Sequence, residues 1–495
     1  MVLLKIKRQD KTPVFQQIID QIIDLVDQKI LQEGDPLPSS RKLAATLGLD
    51  RTTVYRSYLE LAALGYVDSR PGAYTRVRKR AKVVSDEFSY RKGIIDWGIY
   101  SNPESKRLYE FFLNFHPEKA AQLPVDLINL SPLDLDPRTF PVDDFRRSLN
   151  QVLVNVGPQI LCYGSYQGEI LLRQDIAQRL QIHGISITPD EILITNGAQQ
   201  AIELIFKLLA KPGEYVAIES PTYANVIPLI RHHGLNILEV PVNDRGMDLT
   251  QLEQKIAKKK PILVYTIPNF QNPTGITTDQ EHREKLLSIC ERHRIPLVED
   301  GFEEEMKYFG KAVLPIKSMD RKKVVIYLGT FSKVLFPGIR IGWIAAEKEC
   351  IERLTGIKRF VDLSSSSVIQ RALSVFIRNG SYDKHLKRIH RIFRRRMSTA
   401  LNSLKEFLPP EVTWTKPDGG YTIWVSLSRA YENEDHFKTT LLKHGVLVSP
   451  GLYYFSSSKL QKYFRISISS LNEIEITEGI KRLGGALYEF CREGV

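Results

Sequence analysis

The 495 residues carry 69 Lys and Arg against 57 Asp and Glu, a net charge of +12. That length exceeds one ordinary domain and predicts about three, and the basic balance favours a polyphosphate partner without deciding for one. The cysteines (Cys162, Cys290, Cys350, Cys491) are widely separated with no Cys-x-x-Cys pair, which argues against a disulfide scaffold or a zinc site; Met1 to Lys7 is too short for a signal-peptide core, no apolar run approaches the ~20 residues of a membrane span, and a cytoplasmic protein is expected.

After Thr12-Pro13, apolar Ile18, Ile19, Ile22, Ile23 and Val26 recur at spacings of one, three and four, which predicts an amphipathic helix ending near Gly34. Pro38 to Gly48 predicts a short helix capped by Ser39 or Ser40 and stopped by Gly48. A second helix starts at Asp50, its N-cap, and runs to Leu61. Two short helices joined by a tight turn make a helix-turn-helix. Arg51, Thr52, Thr53, Tyr55 and Arg56 fall at the end of the second helix that faces bases and phosphates in such modules, while Leu59, Leu61 and Leu64 are expected in the core. Gly65 to Gly72 and Tyr74 to Val77 predict a two-stranded wing. Ser40, Arg41, Arg70 and Gly72 complete the candidate DNA contacts. The run Gly34-Asp-Pro-Leu-Pro-Ser-Ser-Arg41, then Arg51-Thr-Thr-Val-Tyr55, then the wing, resembles the winged helix of GntR-type transcription regulators over residues 10–78, which implies an operator-DNA partner. Ala73 stands where that family usually has a glycine. Residues 1–82 hold 15 Lys and Arg against 9 Asp and Glu, a net +6.

Residues 79–124 read as a linker that begins in the charge run Arg76 to Lys82. Trp97, Tyr100, Tyr109, Phe111, Phe112 and Phe115 are dense enough to predict packing on one of the flanking domains.

Four later segments supply complementary chemistry. Ile194-Thr-Asn-Gly-Ala-Gln-Gln200 predicts a strand, a turn at Gly197 and a helix from Ala198, whose free N–H groups at Ala198 and Gln199 suit a phosphate dianion. Pro268-Asn-Phe-Gln-Asn-Pro-Thr-Gly275 follows the apolar strand Ile262 to Ile267 and offers Asn272 as a donor. The strand Ile295 to Phe302 presents Asp300 at its end, where a carboxylate can keep a pyridine nitrogen protonated. Lys333 closes Leu328-Gly-Thr-Phe-Ser-Lys, followed by Phe336-Pro-Gly-Ile-Arg-Ile-Gly-Trp343. A lysine amine forms a Schiff base with an aldehyde cofactor, and Thr330, Ser332 and Arg340 are donors for its phosphate. Singly each segment is an ordinary turn, loop or strand end. Together, in this order, they point to pyridoxal 5′-phosphate (PLP).

These segments resemble the fold-type-I PLP family typified by aspartate aminotransferase, across about residues 125 to 490. The resemblance implies an α/β domain with large and small subdomains over residues 125–495, behind an N-terminal helical winged-helix domain. It also implies that Tyr223 stacks on the pyridine ring, that Tyr163 reaches a phosphate across a dimer interface, and that Arg465 grips an effector carboxylate. Two positions depart from it: Phe302 stands where a tyrosine usually meets the phenolic oxygen, and Leu130 to Asp136 lacks the expected glycine.

A GntR-like winged helix fused to such a domain resembles the MocR-type bacterial regulators over nearly the whole chain. That implies a transcription regulator, a domain-swapped homodimer, and an effector, either an amine or amino acid or PLP itself, sensed through the aldimine at Lys333. The rival from another class is a working aminotransferase with an appended DNA-binding module, and a third reading is a DNA-binding protein whose PLP fold is inert.

Overall fold

In the computed structural model the first apolar stripe forms helix α1, Val14–Asp27, and buries Ile18, Ile19 and Ile22. The helix stops before Gly34 because Lys29 takes a left-handed conformation (φ 59°), letting the Ile30 N–H donate to the Leu25 carbonyl (2.9 Å). Helix α2, Ser40–Leu47, is capped by Ser39, whose side chain accepts from the Lys42 N–H, and ends at left-handed Gly48. Helix α3, Arg51–Ala63, is capped by Asp50 through the Thr52 N–H. Strands β1 (Val67–Asp68) and β2 (Arg76–Val77) pair antiparallel. The structure describes residues 4–7, 12–68, 74–78, 95–115, 126–431, 434–457 and 461–492, so Arg70, Gly72 and Ala73 at the wing tip, and the linker stretches 79–94 and 116–124, lie outside the described residues.

The chain divides into two units, Met1–Tyr100 and Ser101–Val495. The first has its own core, in which Ile18, Ile22, Leu43, Val54, Tyr58, Leu61, Val67 and Val77 meet. Tyr58 donates to the Pro38 carbonyl (2.8 Å) and Ser57 to that of Phe15 (3.1 Å), tying α3 to both neighbours. Leu59 and Leu64 correct the sequence expectation: they are 48% and 55% exposed. The face set by Val54, Tyr58 and Leu61 leaves Leu59 about 100° off and Leu64 at the helix end. Trp97 and Tyr100, in one helical turn, are also exposed.

In the second unit, helix α4 (Pro103–Phe115) precedes an eight-stranded sheet. Its strands are β3 (Ile192–Thr195), β4 (Tyr215–Ser220), β5 (Asn236–Asn243), β6 (Gly246–Met247), β7 (Leu263–Thr266), β8 (Leu297–Asp300), β9 (Val325–Thr330) and β10 (Gly342–Ala345), in the order β3-β10-β9-β8-β7-β4-β5-β6. β10 runs antiparallel to β3 and β9, and β6 antiparallel to β5; the remaining pairs are parallel. β7, β8 and β9 are buried throughout, as expected of parallel strands covered on both faces. Helices α5 (Ala198–Leu209) and α6 (Val226–His232) follow β3 and β4. A smaller antiparallel sheet, β11 (Thr413–Trp414), β12 (Thr422–Tyr431), β13 (Ser449–Pro450) and β14 (Gln461–Ser467), has the order β11-β12-β14-β13. Among the described residues no helix is long and apolar enough to cross a membrane.

Candidate functional site

A cleft of about 1490 Å³ opens where the parallel strands of the large sheet end, the place where open α/β sheets bind ligands. Lys333 stands just past β9, and its Nζ donates to the Leu133 carbonyl (2.9 Å). Desolvation lowers its pKa from the ordinary lysine value, against the pull of Asp134 and Glu303. The segment that lacks the expected glycine therefore still brings its backbone in: Leu133 faces the lysine, and the Ser131 carbonyl accepts from Arg465 Nη2 (2.5 Å).

At the other end of the cleft, β3 passes into α5 through Gly197, whose φ is +92°. That backbone conformation favours glycine, and a Cβ there would stand 2.8 Å from Arg340 Nη2 and push the guanidinium from its place. Arg340 Nη2 donates to the Asn196 carbonyl (2.7 Å), and Asn196 and Gln200 both donate to Asp362 (2.7 and 2.8 Å), which fixes the turn from behind. Ala198 and Gln199 in the first turn of α5 line the cleft with Ser332 and Arg340. The buried Ser332 hydroxyl has no hydrogen-bond partner among the described residues. The Thr330 hydroxyl, by contrast, donates to the Ile341 carbonyl (3.1 Å) and accepts from the Ser332 N–H, so it positions the serine rather than offering a free proton.

Between these ends lie Asp300, Tyr223, Asn272, Phe302 and Arg465, all on the cleft wall. Asp300 accepts from the Tyr265 hydroxyl (2.6 Å), while its Oδ1 is buried without a partner among the described residues. Burial pushes its pKa up to about 6, opposed by the Tyr265 bond. Arg465, in β14, is 6% exposed and donates from Nη1 to Asn272 Oδ1 (3.1 Å), which leaves the Asn272 amide NH₂ as its donor. Tyr223 accepts from Asn225 (3.0 Å) and donates to Gln199 (3.1 Å). Tyr163 is 84% exposed and lies outside this chain's own cleft.

In the first unit, Arg51, Thr52, Tyr55 and Arg56 form one exposed stripe on α3, with Thr53 and Ser40 half-buried and Arg41 exposed. Arg56 is partly held, by Glu60 (3.1 Å) and by the Phe15 ring 4.2 Å away.

The model of the class I and II aminotransferases matches residues 125–483, and that of the bacterial regulatory proteins of the gntR family residues 15–77. The chain belongs to the class I and II aminotransferases, with a gntR module in front. It is 30% identical to the uncharacterized HTH-type transcriptional regulator YisV of Bacillus subtilis, covering 96% of each chain. It is 35% identical to aromatic-amino-acid aminotransferase 1 of Thermococcus litoralis over 74% of this chain and 88% of that one. Among solved structures it is similar to LysN, an α-aminoadipate aminotransferase of Thermus thermophilus complexed with N-(5′-phosphopyridoxyl)-L-leucine, with a TM-score of 0.74, 28% identity and coverage of 81% of this chain and 100% of that one.

This aminotransferase family is PLP-dependent, and the residues present fit that cofactor. Two buried polar atoms, Ser332 Oγ and Asp300 Oδ1, lack partners where a phosphate and a protonated pyridine nitrogen would need them, and Gly197 leaves the turn open. Three contributions were missed from the sequence. Tyr265 supports Asp300 from the adjacent strand. Glu219 accepts from Thr266 (2.5 Å) and Gln271 (3.1 Å), clamping the loop that carries Asn272. Glu303 is buried beside the cleft. Helix α4 lends Phe111 and Leu113 to the wall, with Phe111 packed, as the sequence predicts, on the cluster of Ala224, Trp424 and Tyr454. Tyr109, in the same helix, is 62% exposed, so the linker aromatics do not pack as a group.

Proposed function

We propose that this protein is a PLP-dependent transcription regulator: residues 10–78 bind operator DNA, and residues 125–495, together with α4, bind the cofactor and sense an amine, an amino acid or PLP itself. The observation that carries this reading is the presence, in one chain, of the exposed stripe Arg51, Thr52, Tyr55, Arg56 and of a cleft that gathers Lys333, Asp300, Asn272, Ser332, Arg340 and Arg465. A cytoplasmic homodimer is the matching assembly. The outward Tyr163 suits an interface with a second copy, whose cleft it would complete.

When bound, PLP supplies an aldehyde that condenses with primary amines and a ring that withdraws electrons. Lys333 would be the amine that holds the aldehyde, and desolvation, which lowers its pKa, would favour its neutral form. The N–H groups of Ala198 and Gln199, with Ser332 and Arg340, hold the phosphate. Asp300, oriented by Tyr265, would keep a bound ring nitrogen protonated; Tyr223 would pack against the ring, and the Asn272 amide would be a donor to it. Arg465 takes the effector carboxylate, exchanging two neutral acceptors for a charged one.

Arg51→Ala is expected to weaken operator binding by ~1–3 kcal/mol, the value of a base contact, with PLP absorbance unchanged. Equal loss on operator and random DNA in a mobility-shift titration would mark a phosphate anchor instead, and no loss on either would remove α3 from the interface. Phe302→Tyr is expected to add a donor to the phenolic oxygen and lower the pH midpoint of the bound cofactor's visible absorbance. A midpoint unchanged or raised would mean that residue 302 does not reach the cofactor.

The presence of Lys333, Asp300 and Arg465 on one cleft also favours a second reading, an active aminotransferase with an appended DNA-binding module. Mixing the holoprotein with amino donors decides: full conversion of PLP to its amine form with turnover supports the enzyme, and a spectral shift that stops short of conversion supports the sensor.

A further inference from the structure

The longest helix among the described residues, α7 (Ser381–Phe407), turns Tyr382, Ile389, Phe393, Met397 and Ala400 inward. On the other side stand Lys384, Lys387, Arg388, Arg391, Arg394 and Arg395, with no acidic residue between the first and the last. At about 100° per residue the six share an arc of about 120°, and they form a track about 17 Å long. All are exposed except Arg388, which is half-buried and donates to the Thr139 carbonyl. Arg395 meets Glu473 (3.0 Å), but Lys384, Lys387, Arg391 and Arg394 have no carboxylate partner among the described residues. Other exposed helices of this chain pair their charges one turn apart, Lys285 with Glu281 (2.5 Å) and Arg353 with Glu349 (2.6 Å). Helix α7 instead sets Lys384 beside Arg388, Lys387 beside Arg391 and Arg391 beside Arg395, like-charge neighbours that weaken a helix. The whole helix holds eight Lys and Arg against two Asp and Glu, a net +6. Residues 1–82 hold the other +6 of the chain's +12, so everything else balances.

We propose that the outward face of α7 binds the phosphate backbone of duplex DNA, a second contact surface besides the winged helix. A duplex presents one negative charge per ~1.7 Å of its axis, and cations that neutralise phosphates release its condensed counterions. Lysine ammonium and arginine guanidinium groups are donors only, and the guanidinium fork matches phosphate oxygens. Such contacts read no bases, so the face adds affinity without adding sequence preference. The arc carries no apolar residue, so it offers a lipid surface nothing to bury. The inference rests on the reading of this chain as a DNA-binding regulator, which is what favours a nucleic-acid partner over an acidic protein.

Lys384→Gln, Lys387→Gln, Arg391→Gln and Arg394→Gln are combined in the full-length protein. Affinity is measured over a salt series on a duplex that extends well beyond the operator and on a random duplex of the same length. The variant is expected to keep its far-ultraviolet circular dichroism and to melt no lower than wild type, since like-charge neighbours are removed. On both duplexes it should bind about tenfold or more weakly at low salt, and the slope of log affinity against log salt should fall by about three to four, near 0.9 per phosphate. A control with Lys285, Arg292, Lys322 and Arg353 changed to Gln removes the same charge from exposed, ion-paired positions and should leave both slopes near wild type. Unchanged slopes in the α7 variant would overturn the proposal, and so would equal losses in variant and control, which report net charge alone. A loss confined to the operator duplex would overturn it too, because it would place the effect on base recognition. A loss seen only on poly-L-glutamate would assign the face to an acidic protein instead. Wild type with no preference for the operator would refute the regulator reading alone, since the slope of the variant still decides this one.

Discussion

Lys333→Ala is expected to abolish the visible absorbance of lysine-bound cofactor and to freeze the effector response, while operator binding survives. The phosphate turn does not depend on the lysine: Gly197, Ala198, Ser332 and Arg340 keep their geometry through Asn196, Gln200 and Asp362. Some PLP should therefore still bind, reversibly and without the band. The first unit has its own core around Val54, Tyr58 and Leu61 and loses nothing. Reporter output with and without PLP and candidate amines, in wild type and variant, is the measurement. An identical response in both proteins would mean that the link at Lys333 is not the switch.

The second large effect is expected at Arg465. Arg465→Met removes a guanidinium that is 6% exposed and leaves Asn272 Oδ1 and the Ser131 carbonyl without their donor. Hydrogen bonds to charged groups contribute ~1.5–3 kcal/mol each, so a carboxylate held by two of them should lose on the order of 10² or more in affinity. Titrations monitored by absorbance should show this loss for amino acids, while amines without a carboxylate and PLP itself bind as before. Equal affinities for amino acids in wild type and variant would place the carboxylate elsewhere, and a normal transcriptional response to PLP in the variant would identify the cofactor as the signal.

What could be read from the sequence was the chemistry carried on contiguous stretches. Asp50, Ser39 and Gly48 sit at the helix ends they predict, and Gly197, Asp300 and Lys333 sit at strand ends on one cleft, because caps, turns and buried strands are set by neighbours in the chain. The failures share one cause: they depend on partners distant in sequence or on a few degrees of backbone. Leu59 looks like core until the rotation of α3 is fixed by Val54 and Tyr58. The end of α1 is made by Lys29, a residue type with no preference for the left-handed region. Tyr265 reaches Asp300, and Glu219 reaches Gln271, only across strands and loops that the fold brings together. The wing tip, with Arg70 and Gly72, lies outside the described residues.

Helix α4 has a practical consequence for anyone who cuts this chain. A fragment begun at residue 125, where the aminotransferase match starts, would strip Phe111 from the cluster of Ala224, Trp424 and Tyr454 and bare an aromatic floor to water. Such a piece would be prone to self-association and would misreport ligand affinity. A fragment begun ahead of Pro103 keeps the wall in place.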